Sequence, residues 1–158
     1  MKIWILHDSH YGNGEKLAEQ LADIFKKMAF EVKIGNVKFV KPAQVAKEAP
    51  EGLVVGAALR MFMASPASKR WLRKFNREQK KRQQAVNFGC CFLTHVWKRE
   101  RCTLQGKRLV KALQKTTTIK KVFPEWLSGR VETAEGPLTK ETIKSIQEFG
   151  ERILSWIK

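Results

Sequence analysis

Two kinds of hydrophobic pattern alternate along the chain. Apolar runs rich in β-branched and aromatic residues predict strands at residues 2–7, 31–37, 53–59 and 85–93, and within 116–131, where Pro124 interrupts the run. Between these runs, apolar residues recur every three or four positions. This spacing predicts helices through residues 17–25, 42–48, from Pro66 onward, 106–115 and 139–157.

Regular alternation of strand and helix predicts an α/β fold with a doubly wound, five-stranded parallel sheet in the order 2-1-3-4-5 and helices on both faces. The unbroken run LVVGAAL at residues 53–59 is typical of a central strand covered on both faces. A chain of 158 residues suits one domain that spans residues 1–158. Ligands of such sheets bind beyond the carboxyl ends of strands one and three, where the strand order reverses.

The turn that follows the first predicted strand has the composition of an anion site. Gly12 and Gly14 allow backbone conformations in which successive amides converge, next to the unpaired donors of a helix start. Ser9 and Asn13 add side-chain donors, and His10 and Tyr11 lie in the same turn. The turn lacks the Lys-Ser/Thr pair of a P-loop and the third glycine of a Rossmann fingerprint. It is either a phosphate site or a glycine-bearing connection that binds nothing, and we favour the phosphate site.

The segment SHYGNGEKLA at residues 9–18 resembles the FMN phosphate loop of the flavodoxins. The resemblance implies a flavodoxin-like fold, an FMN cofactor and a redox function. Family members usually carry Thr or Ser at the position of Gly14, so this chain lacks one hydroxyl group there.

The loops after the third and fourth predicted strands, residues 57–66 and 94–102, should hold the rest of the cofactor. Met61, Phe62 and Trp97 offer polarizable or aromatic surface for an isoalloxazine ring, although an aromatic residue that follows a strand more often covers the edge of the core than a cofactor. His95 would reach a flavin carbonyl or a substrate, or serve as a structural residue. The remaining predicted contacts to the cofactor are Ala57, Ala58, Leu59, Arg60 and Thr94.

The positive charge is concentrated in the middle of the chain. Residues 60–121 carry 18 Lys or Arg against 2 Asp or Glu, while the net charge of the whole chain is +16. Because this segment includes both loops expected at the flavin ring, we expect a basic rim around the cofactor. Such a rim raises the reduction potential of a flavin and attracts an acidic redox protein or an anionic substrate.

Three functions remain open from the sequence. The first, which we favour, is an FMN-dependent electron carrier or flavin oxidoreductase. The second rests on GAALR at residues 56–60, which resembles the menaquinone-dependent protoporphyrinogen oxidases and implies contact with anionic membrane lipids. The third is a flavin-free module that binds nucleic acid through its charge, for which no recognition motif is present.

The cysteines and the amino-terminus favour a cytoplasmic protein without a bound metal. The chain begins directly with a charged strand-helix unit instead of a signal sequence. Cys90 and Cys91 lie in an apolar run, and Cys102 is expected in a polar surface loop. Neither the cysteines nor the histidines have the spacing of metal ligands. The oligomeric state is left open.

Overall fold

The computed structural model describes residues 1–60 and 63–158, so the predicted cofactor contacts Met61 and Phe62 lie outside the described residues. Strands and helices alternate along the chain, as the hydrophobic pattern predicts. The elements are β1 Lys2–His7, α1 Asn13–Lys26, β2 Glu31–Asn36, α2 Pro42–Lys47, β3 Gly52–Arg60, β4 Met63–Ala64, α3 Pro66–Lys81, β5 Val86–His95, α4 Arg99–Gln114, β6 Ile119–Arg130 and α5 Lys140–Ile157.

Five parallel strands form the sheet in the order β2-β1-β3-β5-β6. The short β4 pairs antiparallel with the end of β3 and is the one strand that the sequence analysis does not predict. With β4 set aside, this is the predicted doubly wound order. The reversal of strand order between β1 and β3 is therefore confirmed, and it fixes where a ligand cleft opens.

Side chains of β1 alternate between two cores, one on each face of the sheet. Ile3 and Ile5 pack with α1 and α5, whereas Trp4 and Leu6 pack with α2, α3 and α4. All four are at most 4% exposed. A strand buried on both faces must be apolar at every position, which explains the unbroken apolar runs in the sequence.

Two glycines of the central strand β3 lie opposite phenylalanines of β5. Gly56 pairs with Phe92, and a Cβ atom at Gly56 would lie 2.0 Å from a ring atom of Phe92. The ring thus fills the space that a side chain would take. This contact explains the glycine in the GAALR segment through packing alone.

The predicted interruption of the last strand is a register shift within one continuous strand. Gly89 pairs with Val122 and Cys91 pairs with Trp126, so β6 advances by four residues while β5 advances by two. Pro124 lies within this irregular stretch, where its missing N–H removes no regular ladder bond.

Side chains cap the N-termini of α3 and α5. Ser65 Oγ accepts a hydrogen bond from the amide of Ala67, and Pro66 occupies the first position of α3, as the sequence predicts. Thr139 Oγ1 caps α5 by accepting from the amide of Thr142, at 3.1 Å. The predicted closing helix is therefore confirmed.

The predicted loop at residues 94–102 is wrong in its extent, since β5 continues to His95 and α4 already begins at Arg99. Cys102 is a buried residue of α4, not a surface residue, and burial raises the pKa of its thiol. The helix start was missed because its first turns, RERCTLQ, are mostly polar. Cys102 and Gly106 continue the buried stripe of Leu109 and Leu113 at helical spacing.

Candidate functional site

A cleft of about 390 Å³ opens at the carboxyl edge of the sheet, between the ends of β1, β3 and β5. This is the edge at which the reversal of strand order places ligands in doubly wound sheets. Segments from four parts of the chain line the cleft: Ser9, His10, Tyr11, Asn13, Gly14, Ala58, Leu59, Arg60, Thr94, His95, Val96, Val131 and Ala134.

The turn between β1 and α1 has the geometry of an anion-binding helix start. Gly12, the residue before α1, has φ 88° and ψ 0°, a left-handed conformation that glycine adopts without steric cost. No side chain of the described residues caps α1, so its first amides keep the donors that a helix start leaves without intrahelical acceptors. The arrangement suits a phosphate group placed on the helix axis.

Ser9 supplies a further donor in this turn. Its Oγ is buried and has no hydrogen-bond partner among the described residues. A buried hydroxyl without a partner is costly, and a bound phosphate oxygen would accept its hydrogen bond. The residues present therefore fit a phosphate group.

Hydrogen bonds hold the turn in place from three sides. Asn36 Nδ2 donates to the carbonyl of Ser9 at 3.1 Å, and the amide of Ser9 donates to His7 Nδ1 at 3.2 Å. Asn13 Nδ2 donates to the carbonyl of Ala134 at 2.8 Å, which ties the start of α1 to the loop after β6. The side chain of Asn13 is therefore engaged through its donor group in fixing the turn.

Asp8 links the turn to β3. Its side chain is 1% exposed, and its Oδ1 accepts from the amide of Ala58 at 2.8 Å. The guanidinium of Arg60 donates to the backbone carbonyl of Asp8 at 3.2 Å, while Asp8 Oδ2 has no hydrogen-bond partner among the described residues. Burial raises the pKa of this carboxyl group, although the side chain of Ser65, the Ala58 amide and the charge of Arg60 oppose the shift.

Both ring nitrogens of His95 have hydrogen-bond partners within the protein. Its Nδ1 lies 2.7 Å from the carbonyl of Trp97, which only accepts, so Nδ1 carries the proton. Nε2 then accepts from the hydroxyl of Ser128 at 2.7 Å. Burial lowers the pKa of His95, which keeps the imidazole neutral. The ring lines the cleft but has no nitrogen left to donate to a flavin carbonyl.

Most of the predicted cofactor contacts in the described part of the chain come together in the cleft. Gly12 shapes the turn without lining the cleft, and Ala57 is buried in the core beneath it. Trp97 is 41% exposed and outside the lining, with the guanidinium of Arg101 5.8 Å from its ring centre. The predicted residues that line the cleft are Ser9, His10, Tyr11, Asn13, Gly14, Ala58, Leu59, Arg60, Thr94 and His95.

Sequence reasoning missed Val131, Ala134 and the role of Asp8, and it did not single out Val96 within the predicted loop 94–102. Val131 and Ala134 belong to the loop that follows β6, and parallel strands bring all their carboxyl ends to one edge. The segment after the last predicted strand was thus the available signal for these two residues. The burial of Asp8 had no local signal in the sequence, because its carboxylate is fixed by the amide of Ala58, 50 residues away.

Arg60 is the one charged residue among the described residues that line the cleft. Lys98 and Arg101 follow in the next loop and the start of α4, and Arg130 Nε donates to the carbonyl of the lining residue Val96 at 3.1 Å. The larger part of the positive charge lies elsewhere, along α3 and α4.

Comparison with known proteins identifies the architecture. No protein-family model matches the chain, and no curated protein matches it. Among solved structures, the rubredoxin oxygen:oxidoreductase of the anaerobe Desulfovibrio gigas superimposes with a TM-score of 0.76 and 18% identity, over 99% of this chain and 36% of that chain. A flavodoxin from the domain Archaea gives a TM-score of 0.71 at 14% identity, over 99% of both chains. Oxidised flavodoxin 1 from Bacillus cereus gives 0.71 at 14% identity, over 98% of both chains. The chain thus has the flavodoxin-like fold.

Proposed function

We propose that the chain is an FMN-binding redox protein that works as an electron carrier or a flavin oxidoreductase. The observation that carries this proposal is the cleft at the switch point of the sheet, with a left-handed Gly12, an uncapped helix start and the unpartnered hydroxyl of Ser9 on one side. These features match the phosphate end of a mononucleotide. Solved structures of the same fold include flavodoxins, which supports the choice of a flavin.

The residues of the turn have distinct roles in holding the phosphate. The first amides of α1 and the hydroxyl of Ser9 would donate to phosphate oxygens, in the positive field of the helix start. Asn13 and Asn36 hold the backbone in position by their bonds to Ala134 and Ser9. This division of work keeps the donors oriented before the ligand arrives.

The other side of the cleft would hold the flavin ring. Ala58, Leu59 and Val96 give it apolar walls, and Thr94 supplies a polar group at the end of β5. When bound, the flavin supplies the electron-accepting chemistry, so the protein needs only to position the ring and set its electrostatics. Arg60, fixed against the carbonyl of Asp8, provides a positive charge at the ring side of the cleft.

We propose an acidic redox protein or an anionic substrate as the partner at the mouth of the cleft. Arg60 lines the cleft, and Lys98 and Arg101 are exposed in the segment that follows the lining residue Val96. Positive charge here favours the more negative, reduced cofactor and therefore raises its reduction potential. We expect a potential above that of flavodoxins with acidic surroundings.

The direct test is reconstitution of the purified protein with FMN. The protein should retain FMN through gel filtration, and a redox titration should then give a raised potential that falls in the variant Arg60→Gln. The proposal is wrong if FMN elutes entirely apart from the protein at concentrations where a control flavodoxin retains it.

A further inference from the structure

The two helical layers of the molecule differ sharply in charge. The helices α2, α3 and α4 cover one face of the sheet and together carry 13 Lys or Arg against 2 Asp or Glu. On the other face, α1 and α5 carry 5 Lys or Arg against 6 Asp or Glu. We call the surface of α2, α3 and α4, with the turn 37–41 before α2, the basic layer. Nearly all the excess charge of the chain lies on this one side.

Few of the positive groups of the basic layer form ion pairs among the described residues. The ion pair between Lys81 and Glu78, at 3.4 Å, is the one formed by α3 or α4 among the described residues. Uncompensated like charges repel one another, so a protein that concentrates them on one face loses stability unless an anionic partner neutralises them.

Two grooves run between the helices of this layer, and basic residues line both of them. The groove between α3 and α4 has a volume of about 440 Å³, and the groove between α2 and α3 about 350 Å³. No acidic residue lines either groove in the described part of the chain. The basic lining residues are Lys69, Arg73, Arg108, Lys111 and Lys115 in the first groove, and Lys38, Lys41, Arg70 and Lys74 in the second.

Two large apolar side chains project from the same surface. Phe39, at the α2–α3 groove, is 80% exposed, and Leu104 on α4 is 58% exposed. They belong to the two outer elements of the layer, with the basic helix α3 between them. A surface that combines apolar and basic side chains binds well to an anionic bilayer, because the headgroups attract the basic groups and the acyl region accepts the apolar side chains.

We propose that the basic layer is a docking surface for an anionic membrane. The shape of the surface favours a bilayer over a nucleic acid. Three helices lying side by side on a sheet present a broad face, so a planar array of phosphate headgroups can meet all of them at once, whereas a duplex can meet only a narrow strip. In the described part of the chain, α2, α3 and α4 all pack their buried residues against the same face of the sheet, whereas DNA-binding helices typically enter a groove.

Docking through this layer leaves the flavin cleft accessible. The basic layer covers a face of the sheet, while the cleft opens at the carboxyl edge. The inference does not depend on the proposed cofactor and can fail or hold separately from it. None of the helices in the described ranges has the length and apolarity of a membrane span.

The test measures co-sedimentation of the protein with vesicles of phosphatidylcholine alone and of phosphatidylcholine with 30% phosphatidylserine. One triple variant, Arg73→Gln, Arg108→Gln and Lys111→Gln, removes three charges from the basic layer. A matched control, Lys26→Gln, Lys140→Gln and Lys144→Gln, removes three charges from the opposite layer. Both start from the same net charge of +16 and lose the same amount, so only the place of the charge differs. Thermal melts establish that both variants fold.

We expect the wild-type protein to bind the vesicles that contain phosphatidylserine and not the vesicles of pure phosphatidylcholine. Each basic residue at a membrane surface strengthens binding about fivefold, so the first triple variant should bind about a hundredfold more weakly and the control nearly as well as the wild type. The variant Phe39→Ser should lose about tenfold. Equal losses in the two triple variants, no effect of Phe39→Ser, or tighter binding to a 20-base-pair duplex than to the vesicles at equal salt would each overturn the proposal.

Discussion

Replacement of Gly14 by serine should tighten FMN binding. Gly14 is the second residue of α1, lines the cleft and has ordinary helical geometry, so a side chain causes no backbone strain there. An added Cβ would lie 3.4 Å from the Cβ atoms of His7 and Ser9, which is ordinary van der Waals contact. The new hydroxyl would lie among the amides proposed to hold the phosphate, and it restores the group that flavodoxins usually carry at this position.

The size of the effect follows from hydrogen bonding to a charged group. Such a bond contributes about 1.5–3 kcal/mol, which corresponds to roughly 10- to 100-fold in affinity. The matched control is Gly14→Ala, which adds the same Cβ without a hydroxyl. Both variants should also gain up to about 1 kcal/mol of stability, because glycine is a poor helix former.

Isothermal titration calorimetry with FMN and with riboflavin, which lacks the phosphate, checks this prediction. Gly14→Ser should bind FMN at least tenfold more tightly than Gly14→Ala, and the two variants should bind riboflavin equally. The reasoning is refuted if Gly14→Ser and Gly14→Ala bind FMN alike, or if the serine strengthens FMN and riboflavin binding by the same factor.

Three further substitutions test other parts of the account. Gly12→Ala should cost about 1–2 kcal/mol of folding free energy in a denaturant melt, because φ 88° strains a residue with a Cβ, and it should weaken FMN binding in calorimetry. Asp8→Asn should stabilise the protein by about 1–3 kcal/mol at pH 7, since the amide keeps the acceptor for Ala58 and removes a buried charged oxygen. Gly56→Ala should lower the free energy of unfolding by about 1–3 kcal/mol in thermal or denaturant melts, because its Cβ would meet the ring of Phe92.

The Asp8 prediction has a definite pH dependence. The pKa of Asp8 is raised in the folded state, so the native protein holds this proton more tightly than the unfolded chain. Ionisation of Asp8 therefore costs stability as the pH rises from the unfolded pKa through the folded one. The advantage of Asp8→Asn over the wild type should be largest at neutral pH and should disappear near pH 4 and below. An advantage that stays constant from pH 7 to pH 4 would contradict a buried carboxylate.

The order of the sheet was predictable because each buried strand is apolar at every position and each helix carries an apolar stripe. The start of α4 was not predictable from the same signal, since its first turns are mostly polar and their one large apolar residue, Leu104, is exposed instead of lying on the buried stripe of Cys102 and Gly106. Their burial follows from the packing of Gly106 against Trp126, 20 residues further along the chain. The start of α4 therefore depends on a tertiary contact, which the local hydrophobic periodicity does not show.

Some features of the candidate site were predictable from the local sequence, and others depend on contacts between distant parts of the chain. The glycines of the β1–α1 turn are local and visible in the sequence. The hydrogen bond from Asn13 to Ala134 joins residues 121 positions apart, and the one from the amide of Ala58 to Asp8 joins residues 50 positions apart, so neither contact leaves a local pattern in the sequence. The concentration of charge was countable from the sequence, but its location on one helical layer required the topology that places α3 and α4 on the same face.

The central claim is that the turn between Asp8 and Glu15 binds the phosphate group of FMN. Calorimetry of the unmodified protein with FMN and with riboflavin tests it most directly, because the two ligands differ only in that group. We predict saturable FMN binding that is about a hundredfold tighter than riboflavin binding. Equal affinity for the two ligands, or no heat with FMN, would contradict it.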